Sequence, residues 1–294
     1  MNCHHTLKLE DKGYPNALKY IEKPPSTLYY RGDISVLAGA CVAVVGSRKA
    51  TDYGRWAAYN LAHRLSAHGV VVVSGMAEGI DSFAHKGALE GPTPTIAVMG
   101  NGLDICFPRM NEALSRRIAD NGLLLSEYED GVHGTRFTFP ARNRIISGLC
   151  RATVVVEAGI SSGSLITAEC AAAQGRMVYA VPGNINRKLS VGCNKLIRDG
   201  AAPLVFFEDI LDDLGLRGRV KVTCVDGTAD SVSADMGEDE ALVLGAVCEH
   251  GNMTVDDAAA LTGLAVTATT SVVTLLEMKG LIHFDHGRII PANA

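Results

Sequence analysis

CVAVVGSRKATDYG, residues 41–54, decides the architecture of this chain. Cys41 to Val45 is an unbroken apolar run rich in β-branched residues, halted by Gly46-Ser47-Arg48. A run without polar alternation suits a strand covered on both faces, as in a parallel sheet. Beyond it, Trp56, Tyr59, Asn60, His63 and Ala67 recur at helical spacing, a face that packs on such a sheet. The same strand, loop and helix unit repeats outward through VVVVSG (70–75), TIAVMG (95–100), LLLSE (123–127), TVVVEA (153–158) and VYAVPG (178–183). Helices are predicted between them over 53–68, 79–89, 109–121, 142–149, 164–174 and 194–199. This order predicts an α/β class: an extended Rossmann-like, doubly wound, mostly parallel sheet over residues 41–215.

Residues 1–40, with Tyr14-Pro15 and Pro24-Pro25, read as a short capping segment without an element able to fold alone. Residues 216–237 are polar and rich in Asp, Ser and Gly, the composition of a linker. Residues 238–294 read as a small winged-helix domain: helices over 238–250, 255–261 and 267–279, then LIHFDHGRII (281–290) turning at Asp285-His286-Gly287. The third helix offers Thr267, Thr269, Thr270, Ser271 and Thr274 with Lys279 as its one cation. That favours a protein contact or a vestigial role over duplex reading.

The 294 residues are 47% hydrophobic, enough to bury a core and to exclude disorder as the dominant state. No apolar run approaches the roughly 18 residues of a membrane span, and the first residues lack a signal-like apolar region. A cytoplasmic protein with no membrane partner is expected. The eight cysteines form no Cys-x-x-Cys pair, and Cys41, Cys106, Cys150, Cys170 and Cys248 sit in or beside apolar segments, so reduced, buried thiols are expected rather than a metal site. The net charge of -5 is unevenly spread: residues 41–215 hold 17 Lys/Arg against 17 Asp/Glu, whereas 216–294 hold 5 against 11. A neutral core can still gather its arginines on one face, so global charge neither supports nor excludes a nucleic-acid partner.

In a doubly wound sheet, ligands bind beyond the carboxyl ends of the strands. Gly46, Ser47 and Arg48 lie there, giving amides, a hydroxyl and a forked cation to an anion. The G-x-G-x-x-G spacing of a dinucleotide site is missing, which argues against NAD or FAD. A second loop carries Gly75, Met76, Ala77 and Gly79, followed by Asp81 and His85 four residues apart. With Ser74 these tempt a catalytic reading, but no nucleophile elbow accompanies them and a structural Asp81–His85 hydrogen bond is expected. Ser161, Ser162, Gly163 and Ser164 open a helix, either as an anion site or as an N-cap. In FTFPARNRIISGL (137–149), Arg142 and Arg144 flank Asn143 near a helix start, with Phe137 and Phe139 just upstream. Paired guanidinium groups grip phosphate and an exposed ring stacks on a base; the opposite reading puts the rings in the core and one arginine in an ion pair with Glu157 or Glu127.

The motifs VGSRKATDYG, SGMAEGIDSFAH, FPARNRIISG, SGSLITAE, AVPGNI and GCNKLIRDGA, in this order, resemble the DNA-processing protein A (DprA/Smf) family from about Tyr14 to Leu214. The resemblance implies a Rossmann-like protein that dimerises, binds and protects single-stranded DNA, and loads the RecA recombinase onto it during natural transformation and recombination. It implies DNA contacts by Gly46, Ser47 and Arg48, by Gly75 to Gly79, by Arg142 to Arg144, and by Ser162, Gly163 and Ser164, to which the reading of the residues adds Phe139. It places self-association near Leu196 and Ile197, and implies no cofactor, no metal and no catalysis. The sequence departs from many members in an N-terminal region of only about forty residues and in an acidic C-terminal domain. The alternative is a nucleotide-binding protein or a phosphoribohydrolase-like enzyme on a related sheet; its Gly-Gly-x-Gly-Thr loop is not present, and Glu169 would stand for its catalytic carboxylate.

Overall fold

A computed structural model describes residues 4–216, 237–250, 253–278, 281–285 and 288–291. It divides into two units, residues 1–221 and 222–294. The expected linker over 216–237 falls almost wholly outside the described residues, as do Lys279 and the His286-Gly287 turn.

The first unit is built on a nine-stranded sheet. Its strands are β1 (His5–Lys8), β2 (Thr27–Gly32), β3 (Ala40–Val45), β4 (Val70–Ser74), β5 (Thr95–Met99), β6 (Leu123–Ser126), β7 (Ala152–Val155), β8 (Met177–Ala180) and β9 (Ala202–Pro203). Their spatial order is β1-β2-β6-β5-β4-β3-β7-β8-β9. From β6 to β9 every pairing is parallel. The helices are α1 (Asn16–Lys19), α2 (Asp52–Ala67), α3 (Ile80–Leu89), α4 (Glu112–Asn121), α5 (Thr138–Leu149), α6 (Gly163–Ala173), α7 (Val191–Arg198) and α8 (Asp209–Asp213).

Strand β3 shows why the apolar runs are continuous. Cys41, Ala43 and Val45 pack in one core with Ile145, Ile146 and Leu149 of α5, while Val42 and Val44 pack in a second with Leu61 and Leu65 of α2 and Ile80 of α3. Successive side chains of a strand face opposite ways, so a strand covered on both sides must be apolar at every position. Each fully buried Val or Leu contributes roughly 1.5–3 kcal/mol by leaving water.

The N-terminal forty residues do more than cap this sheet. β1 pairs with β2, and β2 pairs antiparallel with β6 through Tyr29↔Ser126 to Gly32↔Leu123. Tyr14, Leu18, Ile21 and Leu28 are buried in the α5-side core. These strands are short and polar-flanked, so periodicity alone did not reveal them; β6 supplies the hydrogen-bond edge that makes them strands.

The strand order reverses between β3 and β7: from β3 the chain winds out through β4, β5 and β6, and from β7 it winds the other way. Loops leaving such neighbours diverge and open a crevice at their carboxyl ends. Those loops are Gly46-Ser47-Arg48 and the segment that leads to α6.

In the second unit, helices Glu238–His250, Val255–Thr262 and Val266–Met278 pack with strands Met253–Thr254, Ile282–Asp285 and Arg288–Pro291 around Val243, Val247, Val272, Leu276, Ile282 and Ile289. Thr254 and Asp257 cap the middle helix reciprocally. The hydroxyls of Thr270, Ser271 and Thr274 each donate to the carbonyl four residues earlier in their own helix, and that of Thr269 donates to the Ala265 carbonyl just before it. Among the described residues no single helix is long and apolar enough to cross a membrane.

Candidate nucleic-acid interface

The crevice holds a cleft of about 660 Å³ whose walls include Ser47, Arg48, Asn143, Ser162, Gly163 and Ser164. Gly46 joins them because no side chain fits: a Cβ there would lie 2.6 Å from Ile80 Cγ1 and 2.9 Å from the Glu157 carbonyl. Ser47 donates its backbone N–H to that carbonyl at 2.7 Å and accepts from Lys49 N–H at its hydroxyl, so the loop is fixed from both sides. Gly79 sits at φ 75°, and a Cβ there would meet the Ser47 carbonyl at 2.3 Å. Only glycine lets the second loop cross so close beneath the first.

Arg48 is exposed, and its guanidinium lies 5.5 Å from the centre of the Phe139 ring. Phe139 is half-buried, steadied by Phe107 with ring centres 5.4 Å apart. Lys49 and Arg136 also line the cleft and are exposed. Among the described residues no carboxylate lies within 4.0 Å of the charged ends of Arg48, Lys49 or Arg136. Lys49 and Arg136 escaped the sequence reading, although each is adjacent to a residue it singled out. Phe137 is 70% exposed and stands outside the cleft, under the Arg136 guanidinium at 4.7 Å.

The paired arginines do not act as a pair. α5 begins at Thr138, a full turn before the expected 142, because the Thr135 hydroxyl accepts from the Phe137 and Thr138 amides and Pro140 falls in the first turn, where its missing N–H costs nothing. Arg142 and Arg144 are therefore both helical and, two residues apart at 3.6 per turn, point about 200° apart. Arg142 is buried and donates to the Gly75 carbonyl at 2.7 Å and to the Val98 carbonyl, with its Nε on Asn143 Oδ1 at 3.2 Å. It closes the back of the cleft and joins α5 to the ends of β4 and β5. Burial pulls its pKa down to about 10, opposed by Asp81. Arg144 is not among the residues lining the cleft and holds Glu127 bidentately at 2.7 and 3.1 Å, the ion pair set against a phosphate contact in the sequence.

Met76 does not line the cleft with its side chain. It is fully buried at φ 60°, packed with Met99, Leu114 and Ile118, so only its backbone reaches the second loop. Ala77 lines the cleft, while Gly75 lies behind it, against Arg142. The expected Asp81–His85 bond does not form. Asp81 Oδ2 accepts from the Gly75 and Ala77 amides at 3.1 and 3.3 Å, and burial pushes its carboxyl up, opposed by Arg142 and those amides. His85 Nδ1 bonds Thr95 Oγ1 at 2.9 Å, and burial, with Arg142 adding to it, pushes its pKa down to about 3. Ser74 donates its hydroxyl to the Val44 carbonyl at 2.6 Å.

On the far wall, Asn143 donates to the Gly163 carbonyl at 3.2 Å, and the Ser162 and Ser164 hydroxyls lie 2.8 Å apart at the start of α6. The first amides of a helix lack intrahelical partners and carry the positive end of its dipole. With Arg48, Lys49 and Arg136 also lining it, the cleft is cationic, and its one lining carboxylate, Asp81, is buried among donors. Glu169 is exposed on α6 and does not line it. Leu196 and Ile197 lie away from it, half-buried against the α5-side core.

The family model described as DNA recombination-mediator protein A matches residues 5–215. DNA processing protein DprA of Streptococcus pneumoniae is 45% identical over 206 residues, 70% of this chain and 73% of that protein. A putative DNA processing protein DprA of Mycobacterium tuberculosis is 40% identical over 253 residues, 86% of this chain and 64% of its own length; protein Smf of Escherichia coli is 41% identical over 213, covering 72% and 57%. The chain thus spans between just over half and about three quarters of these relatives. Among solved structures, DNA processing protein A of S. pneumoniae superposes with a TM-score of 0.70 at 42% identity, over 72% of this chain and 75% of that one. The Helicobacter pylori protein, described for its single-stranded DNA binding mode, gives 0.66 at 32% identity, over 72% and 95%.

Proposed function

Because the chain belongs to the DNA recombination-mediator protein A family, we propose that its cleft binds single-stranded DNA without catalysis. The observation that carries this reading is the set of three cations without a carboxylate partner, Arg48, Lys49 and Arg136, in one cleft with the half-buried Phe139 ring. Cations supply sequence-independent affinity for phosphates, and a ring with an accessible face takes an unpaired base, which a duplex withholds. The other features of the cleft are in keeping with binding alone. Ser74 and Asp81 are engaged in bonds that shape the loops, and Glu169 is remote from the cleft, which disfavours the phosphoribohydrolase-like alternative.

In this reading the protein acts in the cytoplasm as a homodimer that protects incoming strands in transformation and passes them to RecA. Leu196 and Ile197 of α7 are our candidates for the dimer contact. The second unit, in the element order of a winged helix, contacts protein rather than duplex, since the hydroxyls of its third helix are spent on their own carbonyls. The test is a salt-titrated gel shift with one oligonucleotide, single-stranded and annealed. Preference for the single strand, with affinity falling linearly in log salt, is expected. Equal affinity for both forms, or hydrolysis of a nucleotide by the purified protein, overturns the reading.

A further inference from the structure

A second cleft, of about 710 Å³, opens between the start of α2 and the loop that follows β8. Tyr53 forms one wall, and Arg187 and Lys188 belong to the other. Leu189 lines both this cleft and the one at the strand crossover, so the two adjoin across a single residue.

The loop between them is braced. The Leu189 carbonyl accepts from Ala158 N–H at 2.7 Å, and the Asn194 side chain both accepts from and donates to the Gly183 backbone, at 3.2 and 2.8 Å. Ser190 N–H reaches the Arg187 carbonyl at 3.0 Å. Arg187 and Lys188 are exposed, and among the described residues no carboxylate lies within 4.0 Å of their charged ends. The two acids of the cleft are engaged elsewhere. Glu157 is buried with its carboxylate on the Thr51 amide, at 2.9 Å, and on the Thr51 hydroxyl; Asp52 pairs with Arg55 at 3.4 Å. The start of α2 is thereby already occupied by a carboxylate, and an incoming anion is left to Arg187 and Lys188.

The aromatic side is equally open. Tyr53 is 52% exposed and Trp56 53%, and their rings stack with centres 6.2 Å apart at 25°. Tyr53 in the cleft wall, with Trp56 stacked next to it, and two cations without a carboxylate partner are what a single strand requires: a face for a base and charge for its backbone.

We propose that this cleft is a second subsite for one continuous strand, which passes over Leu189 from the first cleft, sets phosphates on Arg187 and Lys188, and lays a base against Tyr53 and Trp56. The inference rests on the function proposed above and extends its footprint.

The test uses the full chain and oligothymidylates from about 3 to about 15 nucleotides. Trp56 is the only tryptophan, so its fluorescence reports this subsite alone. Long strands should quench it and the shortest should not. Arg187→Ala with Lys188→Ala should weaken long strands about tenfold, lower the salt slope by roughly 1.4, and leave the shortest unchanged. Arg48→Ala should weaken strands of every length. Unchanged long-strand affinity in the double variant, or no quenching by long strands that bind, overturns the second subsite while leaving the first intact. A wild-type protein that binds no strand of any length overturns the proposed function itself, and this inference with it.

Discussion

The guanidinium of Arg48 lies over the Phe139 ring at 5.5 Å, bringing together a residue from the loop after β3 and one from the first turn of α5. The contact contributes about 0.5–1 kcal/mol at an exposed site. It also keeps the cation at the ring proposed to meet a base. Arg48→Ala is expected to weaken single-strand binding by about tenfold or more, the loss of one charge-assisted contact. Phe139→Ala should cost a similar factor through lost stacking. Fluorescence anisotropy with a labelled oligonucleotide checks both, and circular dichroism should show both variants folded. Unchanged affinity in both would remove the cleft from DNA binding.

Arg142 behaves differently. Its removal strands the carbonyls of Gly75 and Val98 and leaves Asp81 buried without its counter-charge. Arg142→Ala is expected to destabilise the fold by about 3 kcal/mol or more, read by urea denaturation. Arg142→Lys should recover only part of this, since one nitrogen, Nη1, meets both carbonyls but an ammonium has no counterpart of the Nε–H that bonds Asn143 Oδ1. A variant of wild-type stability would contradict the structural role.

Arg144→Ala should lose about 1–3 kcal/mol of stability with its bond to half-buried Glu127, and should bind single strands as the wild type does. A double-mutant cycle with Glu127→Gln isolates the pair. Loss of DNA affinity at unchanged stability would return Arg144 to the interface.

His85 gives a pH signature. Its pKa in the fold is about 3, against an ordinary 6.5, so below 6.5 the unfolded chain takes up a proton that the fold refuses. The stability it contributes is fully present above 6.5 and falls as pH drops toward 3, by at most about 1.4 kcal/mol per pH unit. Denaturation midpoints at pH 7 and pH 5 should therefore differ less in His85→Gln than in the wild type. An identical pH dependence in the two proteins would contradict this.

Leu196 and Ile197 already lean on the core of their own chain. Leu196→Asp should shift sedimentation from dimer to monomer, with Ile185→Asp, a fully exposed position elsewhere, as the control. A wild type that already sediments as a monomer, or dimers in both variants, excludes α7 as the contact.

By itself the sequence determined what depends on near neighbours. Apolar runs ending in Gly, Ser or Pro set the six central strands, helical spacing set the elements between them, and Gly46, Ser47, Arg48 and Ser162 to Ser164 could be placed beyond strand ends from order alone. The tertiary structure decided which long-range partner each polar group takes. Arg142 and Arg144 are equivalent as letters, yet their places on one helix send the first to buried carbonyls and the second to Glu127. Asp81 and His85 share a helix spacing but find better partners in the amides of Gly75 and Ala77 and in Thr95. β1 and β2 exist because β6 offers an edge, and the second cleft because Tyr53 and Lys188, 135 positions apart in the chain, come to line one hollow. Periodicity fixes an element, since each residue sees only its turn or its pleat. A buried charge or a shared groove is settled by groups far along the chain, and spacing carries no record of them.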